Sequence, residues 1–214
     1  MVHVYYHIYV VDGVESIIDE QLNLLKNHFD FPYKLNVGIS LGNENKSISN
    51  IIDKLKNANV RDIRFKSHEF TTLDLIENDI KSFQDSDSIL YFHTKGASHI
   101  QESNYINVES WRKIMNYFNI EKAKNVFKIF DKTDYNSYGI LLTNSGELNF
   151  YSGNFWWIKG SYASTIDMTN VRKNRNNAEL KFIQTGKNWK PYSPYNRTDI
   201  NHYQILFKRE EYAK

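Results

Sequence analysis

The stretch His3–Val11, HVYYHIYVV, decides the fold class of this chain. Its residues are mostly β-branched or aromatic, and apolar side chains stand at both odd and even positions. Because successive side chains of a strand point to opposite faces, this pattern is typical of a strand that is covered on both faces. Such strands belong to parallel sheets with helices on each side. We therefore expect an α/β fold with His3–Val11 inside its sheet.

Strand and helix patterns alternate along the first half of the chain. Apolar residues three and four positions apart predict helices at Glu15–Phe29, Asn45–Asn57 and Thr71–Asp85. Runs of β-branched and apolar residues predict strands at Tyr33–Leu41, Asp62–Phe70 and Ser88–Thr94. We expect Thr71 or Thr72 to cap the third helix. The alternation predicts right-handed crossovers and a mostly parallel sheet.

The second half of the chain departs from this alternation and predicts a mixed sheet. Glu109–Phe130 is predicted to be one helix, or two that break near Asn119. Four further strands are predicted, with a turn at Asn144–Gly146, and these strands are Tyr138–Thr143, Leu148–Ile158, Leu180–Gln184 and His202–Phe207. The chain has 214 residues and no internal repeat, which favours a single domain over residues 1–214.

The composition excludes several classes of protein. The chain has no cysteine, which excludes a disulfide scaffold, a Cys-ligated metal site and a thiol nucleophile. A net charge of +2 is too small to indicate nucleic acid as a partner. No apolar run approaches the ~20 residues of a membrane span, and the first strand lacks the basic start of a signal peptide. We therefore expect a cytoplasmic protein with no transmembrane segment and no nucleic-acid partner.

The ligand of an open parallel sheet binds beyond the carboxyl ends of the strands. This rule selects four short segments, Tyr9–Asp12, Leu41–Asn43, His68–Thr71 and His93–Gly96. No glycine-rich phosphate loop follows the first strand and no GxSxG elbow is present, which counts against dinucleotide dehydrogenases, P-loop kinases and α/β-hydrolases.

The segment His93–Gly96, HTKG, combines an imidazole, a hydroxyl, a cation and a flexible glycine. These groups suit a pyrophosphate, because lysine supplies a point charge and glycine lets backbone N–H groups approach. The polar segment Ala97–Val108 follows it and is long enough to cover a substrate. The alternative is a basic turn that only ends a strand.

An acidic pair, Asp85 and Asp87, has the spacing of the DxD metal anchor of nucleotide-sugar enzymes. That anchor normally ends a strand, whereas this pair precedes Ser88–Thr94. The pair is therefore expected at the opposite end of that strand from HTKG, and a solvated turn is the favoured interpretation.

The segment Ser152–Trp157, SGNFWW, is a candidate sugar-binding element. Trp156 and Trp157 are adjacent and point to opposite sides of a strand, so one can face a cleft and stack on a sugar. The amide of Asn154 offers a donor and an acceptor for hydroxyl groups. The alternative is that both tryptophans belong to the core.

Glu179 is a candidate general base. It stands between Ala178 and Leu180, unlike the solvated charges around it, and a partly buried carboxylate can have its pKa raised into the range of a base. The alternative is a surface glutamate that pairs with Arg172 or Arg175.

Together these motifs resemble a family of small nucleotide-sugar glycosyltransferases. The resemblance lies in YFHTKG at Tyr91–Gly96, Trp111-Arg112, YGILL at residues 138–142 and SGNFWW at residues 152–157, and it spans Val4 to Phe182. Related proteins are encoded in bacterial surface-polysaccharide loci and in large DNA viruses, and rhamnan-synthesis proteins share a similar HTK segment. The resemblance implies a single GT-A, Rossmann-like domain that uses a nucleoside-diphosphate sugar, most simply a UDP-sugar.

The resemblance also implies roles for the parts of the chain. Residues 1–96 would form the nucleotide-binding half, residues 97–190 the acceptor and catalytic half, and residues 191–214 a C-terminal segment without an assigned role. The residues that would bind the donor are Tyr9, Val10, Val11, His93, Thr94 and Gly96. Those that would line the sugar cleft are Asn154, Trp156 and Trp157. Lys95 would stabilise the departing diphosphate and Glu179 would be the general base.

The implied partners are a nucleotide-sugar donor and a glycan or polysaccharide acceptor. The implied location is the cytoplasm, at the membrane face or in the cytoplasm of an infected host cell. Because no DxD ends the fourth strand, the need for Mn²⁺ or Mg²⁺ and its ligands stay open.

Two other function classes compete with this interpretation. A sugar-phosphate nucleotidyltransferase would usually carry a glycine-rich basic loop after the first strand, where this chain has only Val10–Val14. A non-catalytic carbohydrate-binding domain would use the tryptophan pair but would have little use for HTKG.

Overall fold

The computed structural model describes residues 1–145, 148–197 and 200–213. Within them the strands are Val2–Val10 (β1), Tyr33–Leu41 (β2), Asn59–Phe65 (β3), Ser88–His93 (β4), Ser137–Gly139 (β5), Leu142–Ser145 (β6), Leu148–Tyr151 (β7), Trp156–Lys159 (β8) and Pro191–Tyr192 (β9). The helices are Val14–His28 (α1), Ser49–Lys54 (α2), Phe70–Asp79 (α3), Tyr105–Asn116 (α4), Ala123–Lys132 (α5), Gly160–Ala163 (α6), Asn177–Leu180 (α7) and Arg209–Tyr212 (α8).

In the described part of the chain, seven strands form one sheet in the order β3-β2-β1-β4-β8-β5-β9, and β6 and β7 form a separate hairpin. β1 is parallel to both of its neighbours, so that Tyr5 lies opposite Asn36 of β2 and Tyr91 of β4. β8 runs antiparallel to β4 and β5, while β9 is parallel to β5. The expected mixed, mostly parallel sheet with flanking helices is confirmed.

Apolar side chains of β1 enter two different cores. Val4, Tyr6 and Ile8 belong to the cluster that includes α1, α4 and α5, whereas Tyr5 belongs to the cluster that includes α3, α6 and α7. All four side chains are fully buried, and burying a large apolar side chain contributes about 1.5–3 kcal/mol. Coverage of both faces, as predicted from His3–Val11, is therefore confirmed.

β3 ends at Phe65, five residues before the predicted end of this strand. Lys66 and His68 have φ angles of 48° and 51°, a left-handed conformation that cannot continue a strand. The next helix starts at Phe70, so Thr71 and Thr72 lie inside it and are buried instead of capping it. The predicted cap is therefore wrong.

The long helical stretch after residue 100 is divided near Asn119, as predicted. A π-helical segment, Tyr117–Glu121, separates α4 from α5. The carbonyl oxygen of Asn119 accepts a hydrogen bond of 2.9 Å from Nε1 of Trp157, which joins this irregular segment to the sheet.

Two predicted strands of the second half are each divided in two. Leu141, with a φ angle of 56°, separates β5 from β6. Gly153 and Asn154, with φ angles of 92° and 58°, separate β7 from β8. Left-handed residues turn the chain out of the extended conformation, and periodicity alone does not report them. Of the predicted turn at Asn144–Gly146, Gly146 lies outside the described residues, and the two residues before it are in β6.

The two strands predicted near the C-terminus are wrong. Leu180–Gln184 is helical, comprising the end of α7 and a short 3-10 turn, and it places Phe182 and Ile183 in a core. His202–Phe207 is irregular chain that packs on α4, where the N–H of Phe207 donates to Oγ of Ser110. In both segments the apolar residues pack without a neighbouring strand.

The acidic pair lies at the end of β4 that is opposite to HTKG, as expected, but only Asp85 is solvated. Asp87 is buried and accepts hydrogen bonds from the backbone N–H of Gln84 and the amino group of Met1, both at 2.9 Å. The expectation of a solvated turn is therefore wrong at Asp87. Among the described residues, no helix is long and apolar enough to cross a membrane.

Candidate active site

A cavity of about 390 Å³ lies beyond the carboxyl ends of β1 and β4. Strands β2 and β3 continue the sheet on one side of β1 and β4 lies on the other, so the cavity is at the point where the strand order reverses. Its volume falls within the range of about 300–1,000 Å³ that is usual for small-molecule sites. The lining comes from five separate segments, represented by Tyr9, Glu69, Lys95, Glu179 and Tyr203.

Lys95 presents its ammonium group against two aromatic rings. Its Nζ lies 4.1 Å from the centroid of the Trp111 ring and 5.7 Å from that of the Tyr203 ring. In the described part of the chain, Lys95 forms no ion pair. Aromatic faces attract a cation without neutralising it, so the positive charge remains for an anion in the cavity.

The side chain of Arg112 stabilises the turn that carries Lys95. The buried Arg112 donates from Nη1 to the carbonyl oxygen of Lys95 at 3.0 Å and from Nη2 to Glu20 of α1 at 3.0 Å. Gly96 has a φ angle of 90°, and a Cβ there would lie 3.3 Å from Nη1 of Arg112. The neighbours Trp111 and Arg112 therefore support the same turn, one through the ammonium group and the other through the backbone.

Thr94 joins the ends of β1 and β4. Its buried Oγ1 accepts a hydrogen bond of 2.9 Å from the N–H of Tyr9, and its own N–H donates to the carbonyl oxygen of His7. Tyr9 and Thr94 both line the cavity, as expected. Val10 and Val11 do not line it, because Val10 is buried in the first core and Val11 packs against that core. The expectation that these two valines border the ligand is corrected.

The sequence pattern did not indicate a role for Glu69, although Glu69 lies within His68–Thr71, one of the four segments expected at the ligand-binding edge of the sheet. Its side chain is 20% exposed, and its Oε2 accepts a hydrogen bond of 2.9 Å from Nδ2 of Asn154. Burial, followed by the nearby charge of Glu179, raises the pKa of Glu69 to about 7, against the opposing effect of Lys95.

Glu179 lies in the same cavity and is half-buried. Its Oε1 accepts a hydrogen bond of 2.7 Å from the backbone N–H of Gly153. Arg172 does not pair with it, because that guanidinium is bound to Asp74 and Glu77 of α3. Arg175 lines the cavity, is exposed, and has no ion pair among the described residues.

His93 is neutral at the cavity wall. Its Nε2 lies 2.9 Å from the carbonyl oxygen of Gly153, and because a carbonyl only accepts, Nε2 carries the hydrogen. Burial, and then the charge of Lys95, hold the pKa of His93 well below its usual value.

Asn154 lies behind the cavity wall, where all its amide groups are used by the protein. Its Nδ2 donates to Glu69, and its Oδ1 accepts a hydrogen bond of 2.8 Å from Nε1 of Trp156. It is buried and does not line the cavity, so the expectation that Asn154 binds sugar hydroxyls is corrected. Its contact with Glu69 makes it a positioning residue.

Both tryptophans are completely buried, on opposite faces of the sheet. Trp156 stacks on Tyr91 and Phe182, and Trp157 packs against Phe29 and Phe127. The prediction that they alternate is confirmed, but the expectation that one faces the cleft is wrong, since helices cover both faces of β8. An aromatic face at the cavity is supplied instead by Tyr203, which the sequence did not indicate.

The described residues of the cavity form no ready-made site for a divalent cation. Among residues 1–145, 148–197 and 200–213, no group of three or more His, Asp or Glu is arranged to hold a metal. The candidate ligands His93, Glu69 and Glu179 already form hydrogen bonds within the protein. Nε2 of His93 donates to Gly153, and one oxygen of each glutamate accepts a hydrogen bond, Glu179 from Gly153 and Glu69 from Asn154. We therefore derive no step through a metal ion.

Residues 5–200 match a protein family that is described as a domain of unknown function, DUF8361. The chain belongs to the DUF8361 family. No curated protein matches it at a significant level. The DUF8361 match includes Tyr9, Glu69, Lys95 and Glu179, but it ends before Tyr203.

Proposed function

We propose that this protein transfers a sugar from a nucleoside-diphosphate sugar, most simply a UDP-sugar, to a hydroxyl group of a glycan or polysaccharide. One observation carries the proposal. The cavity at the reversal of strand order brings together two cations that form no ion pair with any described residue, Lys95 and Arg175, and two carboxylates, Glu69 and Glu179. Glycosyl transfer from such a donor requires both kinds of group, a positive charge for the departing diphosphate and a carboxylate for the attacking hydroxyl.

The donor diphosphate is assigned to Lys95 and Arg175. Hydrogen bonds from a positively charged N–H group to phosphate oxygens are about twice as strong as hydrogen bonds between neutral groups. Gly96 adds a close backbone approach beside Lys95, and Tyr9 at the end of β1 lines the part of the cavity assigned to the nucleotide.

Transfer breaks one bond and forms another at the anomeric carbon. The acceptor oxygen attacks this carbon, and the bond to the diphosphate breaks with its electron pair on the departing oxygen, where Lys95 stabilises the new charge. Glu179, held by the N–H of Gly153, accepts a hydrogen bond from the acceptor hydroxyl, whose proton passes to a carboxylate of the cavity as the new bond forms.

A non-catalytic carbohydrate-binding role is less well supported by this geometry. The tryptophan pair that such a role would use is buried, which leaves Tyr9 and Tyr203 as the tyrosines of the cavity. Nor would such a role use two carboxylates next to Lys95 and Arg175.

Thermal unfolding with a ligand panel tests the proposal. The panel contains UDP-, GDP- and dTDP-sugars, free sugars, and nucleoside triphosphates with sugar phosphates, each with and without Mn²⁺. A hundredfold excess over Kd stabilises by about 2.7 kcal/mol, or roughly 5–10 °C for a domain of this size, and we expect this from a nucleotide sugar. Lys95→Ala removes the shift, while Lys128→Ala, at an exposed lysine of α5, keeps it. Stabilisation by free sugars alone, or only by a triphosphate with a sugar phosphate, contradicts the proposal.

A further inference from the structure

We propose that Glu69 takes the proton of the acceptor hydroxyl, while Glu179 beside it accepts a hydrogen bond from that hydroxyl and orients it. This inference rests on the proposed function and divides between two residues the role that the sequence suggested for Glu179 alone.

Glu69 reaches the cavity from a fixed position. It directly precedes Phe70, the first residue of α3, and its backbone carbonyl accepts the N–H groups of Thr72 and Leu73. The side chain is therefore anchored at its base by the helix, while a fifth of its surface remains open to a ligand in the cavity.

A buried chain of hydrogen bonds orients the carboxyl group. Nε1 of Trp156 donates to Oδ1 of Asn154, which leaves Nδ2 of Asn154 pointing at Oε2 of Glu69. Oε1 of Glu69 is then the free oxygen, 3.4 Å from Nε2 of His93. Because that Nε2 already donates to Gly153, Oε1 remains available to accept a proton.

The two carboxylates have different surroundings. Glu179 is less buried, and its Oε1 is held by the backbone N–H of Gly153. Glu69 is more buried and faces the like charge of Glu179, and these effects raise its pKa to about 7. Lys95, Arg175 and the amide of Asn154 oppose the increase, and His93 is neutral. A carboxyl group whose pKa is raised toward neutrality is suited to act as a general base.

The step balances with these groups alone. The acceptor hydroxyl transfers its proton to Oε1 of Glu69 as the new carbon–oxygen bond forms, and the bond to the diphosphate breaks with its electron pair on the leaving group. Glu69 releases the proton to water after the products leave. With water as the acceptor, the same step gives a free sugar and a nucleoside diphosphate, so donor hydrolysis reports on the base without a known acceptor.

The kinetic test compares variants in hydrolysis of the nucleotide sugar that stabilises the protein most. Glu69→Gln is expected to lower kcat by about 100-fold or more, leave KM within about threefold, and abolish the rise of rate with pH around pH 7. Glu179→Gln keeps a rise of rate with pH but moves it to lower pH, because the like charge that raises the pKa of Glu69 is lost, and Glu44→Gln, at an exposed surface glutamate, leaves the rate unchanged. A Glu69→Gln enzyme that keeps more than about a tenth of kcat with the same pH profile overturns the inference.

A second measurement needs neither activity nor that variant. In a carbon-13 NMR titration of the full chain, the side-chain carboxyl of Glu69 is expected to titrate near pH 7, and Asn154→Gly to move the midpoint upward because the hydrogen bond that lowers the pKa is lost. A midpoint below about pH 5 overturns the inference. If no nucleotide sugar binds but Glu69 titrates near pH 7, the proposed function fails, and the proton role at Glu69 fails with it. If a nucleotide sugar binds but Glu69 titrates at low pH, only the role of Glu69 fails.

Discussion

Gly153 and Asn154 contribute groups to three different side chains of the cavity. The N–H of Gly153 donates to Glu179, its carbonyl accepts from His93, and the Asn154 amide donates to Glu69. Both residues are left-handed, which glycine tolerates without cost and asparagine better than most residues. The SGN part of SGNFWW thus matters for orienting the site, although it does not line the cavity.

Gly153→Ala tests this arrangement. An added Cβ would lie 2.4 Å from Sδ of Met115 at a φ angle of 92°, so we expect a loss of about 2–4 kcal/mol from overpacking and backbone strain. Urea unfolding measures the loss, with Ser161→Ala, at an exposed serine of α6, as the control. A Gly153→Ala protein as stable as the control would show that the turn is not tightly packed.

Glu69 makes the fold less stable as pH rises. Its pKa is raised from 4.5 to about 7 on folding, so the folded state binds a proton more tightly and this stabilising term is lost between those values. Glutamine does not titrate. We expect the stability of Glu69→Gln relative to wild type to increase by up to about 3 kcal/mol between about pH 4 and pH 8, as measured by urea unfolding. A difference that is independent of pH would contradict this.

His7 has the opposite effect on the pH dependence of stability, because it makes the fold less stable as pH falls. Burial, and then the charge of His68, lower its pKa from 6.5 to about 3, so the folded state keeps it neutral while the unfolded chain takes up a proton. The contribution of His7 to the unfolding free energy is therefore complete above pH 6.5 and is lost as pH falls. We expect wild type to lose about 2 kcal/mol from His7 between pH 6.5 and pH 5, and His7→Gln to show a correspondingly flatter acid profile in thermal unfolding. Equal slopes for both proteins would contradict it.

At the scale of elements, α4 positions the turn after β4. Trp111 lies under the ammonium group of Lys95, and Arg112 ties the backbone of that turn to α1 through Glu20. The pair Trp-Arg was part of the resemblance, and its physical role is now explained by these contacts.

Arg112→Met is expected to uncouple α1 from that turn. It leaves the carbonyl of Lys95 without its donor and Glu20 without its cation, although Glu20 keeps a hydrogen bond from Asn116, and breaking such a pair costs about 3 kcal/mol in unfolding free energy. Nucleotide-sugar affinity should also fall, because the Lys95 turn loses its support. Calorimetric titration and urea unfolding measure both effects, and Lys113→Met, at a neighbouring exposed position of α4, is the control. Unchanged affinity would show that the turn holds its shape without Arg112.

The segment after β9 returns over the same turn and supplies Tyr203. The ring of Tyr203 lies 5.3 Å from that of Trp111 and 5.4 Å from that of His99, measured between centroids. We expect Tyr203→Ala to weaken nucleotide-sugar binding by about 3- to 10-fold through loss of an aromatic face, and Tyr203→Phe to retain it. Leu206→Ala, at an exposed position of the same segment, controls for local disturbance. Equal affinities for all three variants would remove Tyr203 from the site.

Elements with a strong local pattern could be predicted well. Tyr33–Leu41 has the predicted limits, and α1 and β1 differ from prediction by one residue at each end. The strands that end early or are divided share a cause in left-handed residues such as His68, Leu141 and Asn154, which interrupt a strand without changing its apolar pattern. Helices α2 and α7 are short, and the packing around them, which decides their limits, is not visible in a local window.

At the scale of the whole molecule, the site depends on the topology of the sheet. The rule that ligands bind at the carboxyl ends of strands located Tyr9 and Lys95 without knowledge of the fold. The same rule could not bring Glu69 next to Glu179, or Tyr203 next to Lys95, because these pairs are more than a hundred residues apart and meet only in the folded chain. The opposite error occurred at Trp156 and Trp157, where a residue was expected at the cleft and lies in the core. A local pattern could not show that helices cover both faces of β8.

The most direct measurement of the central claim is release of nucleoside diphosphate from nucleotide-sugar donors, followed by phosphorus-31 NMR. We predict that the wild-type chain cleaves at least one such donor, that Lys95→Ala slows this cleavage by about 100-fold or more, and that Lys128→Ala does not slow it. Absence of cleavage with every donor, or equal rates for the two lysine variants, would contradict the proposed glycosyl transfer.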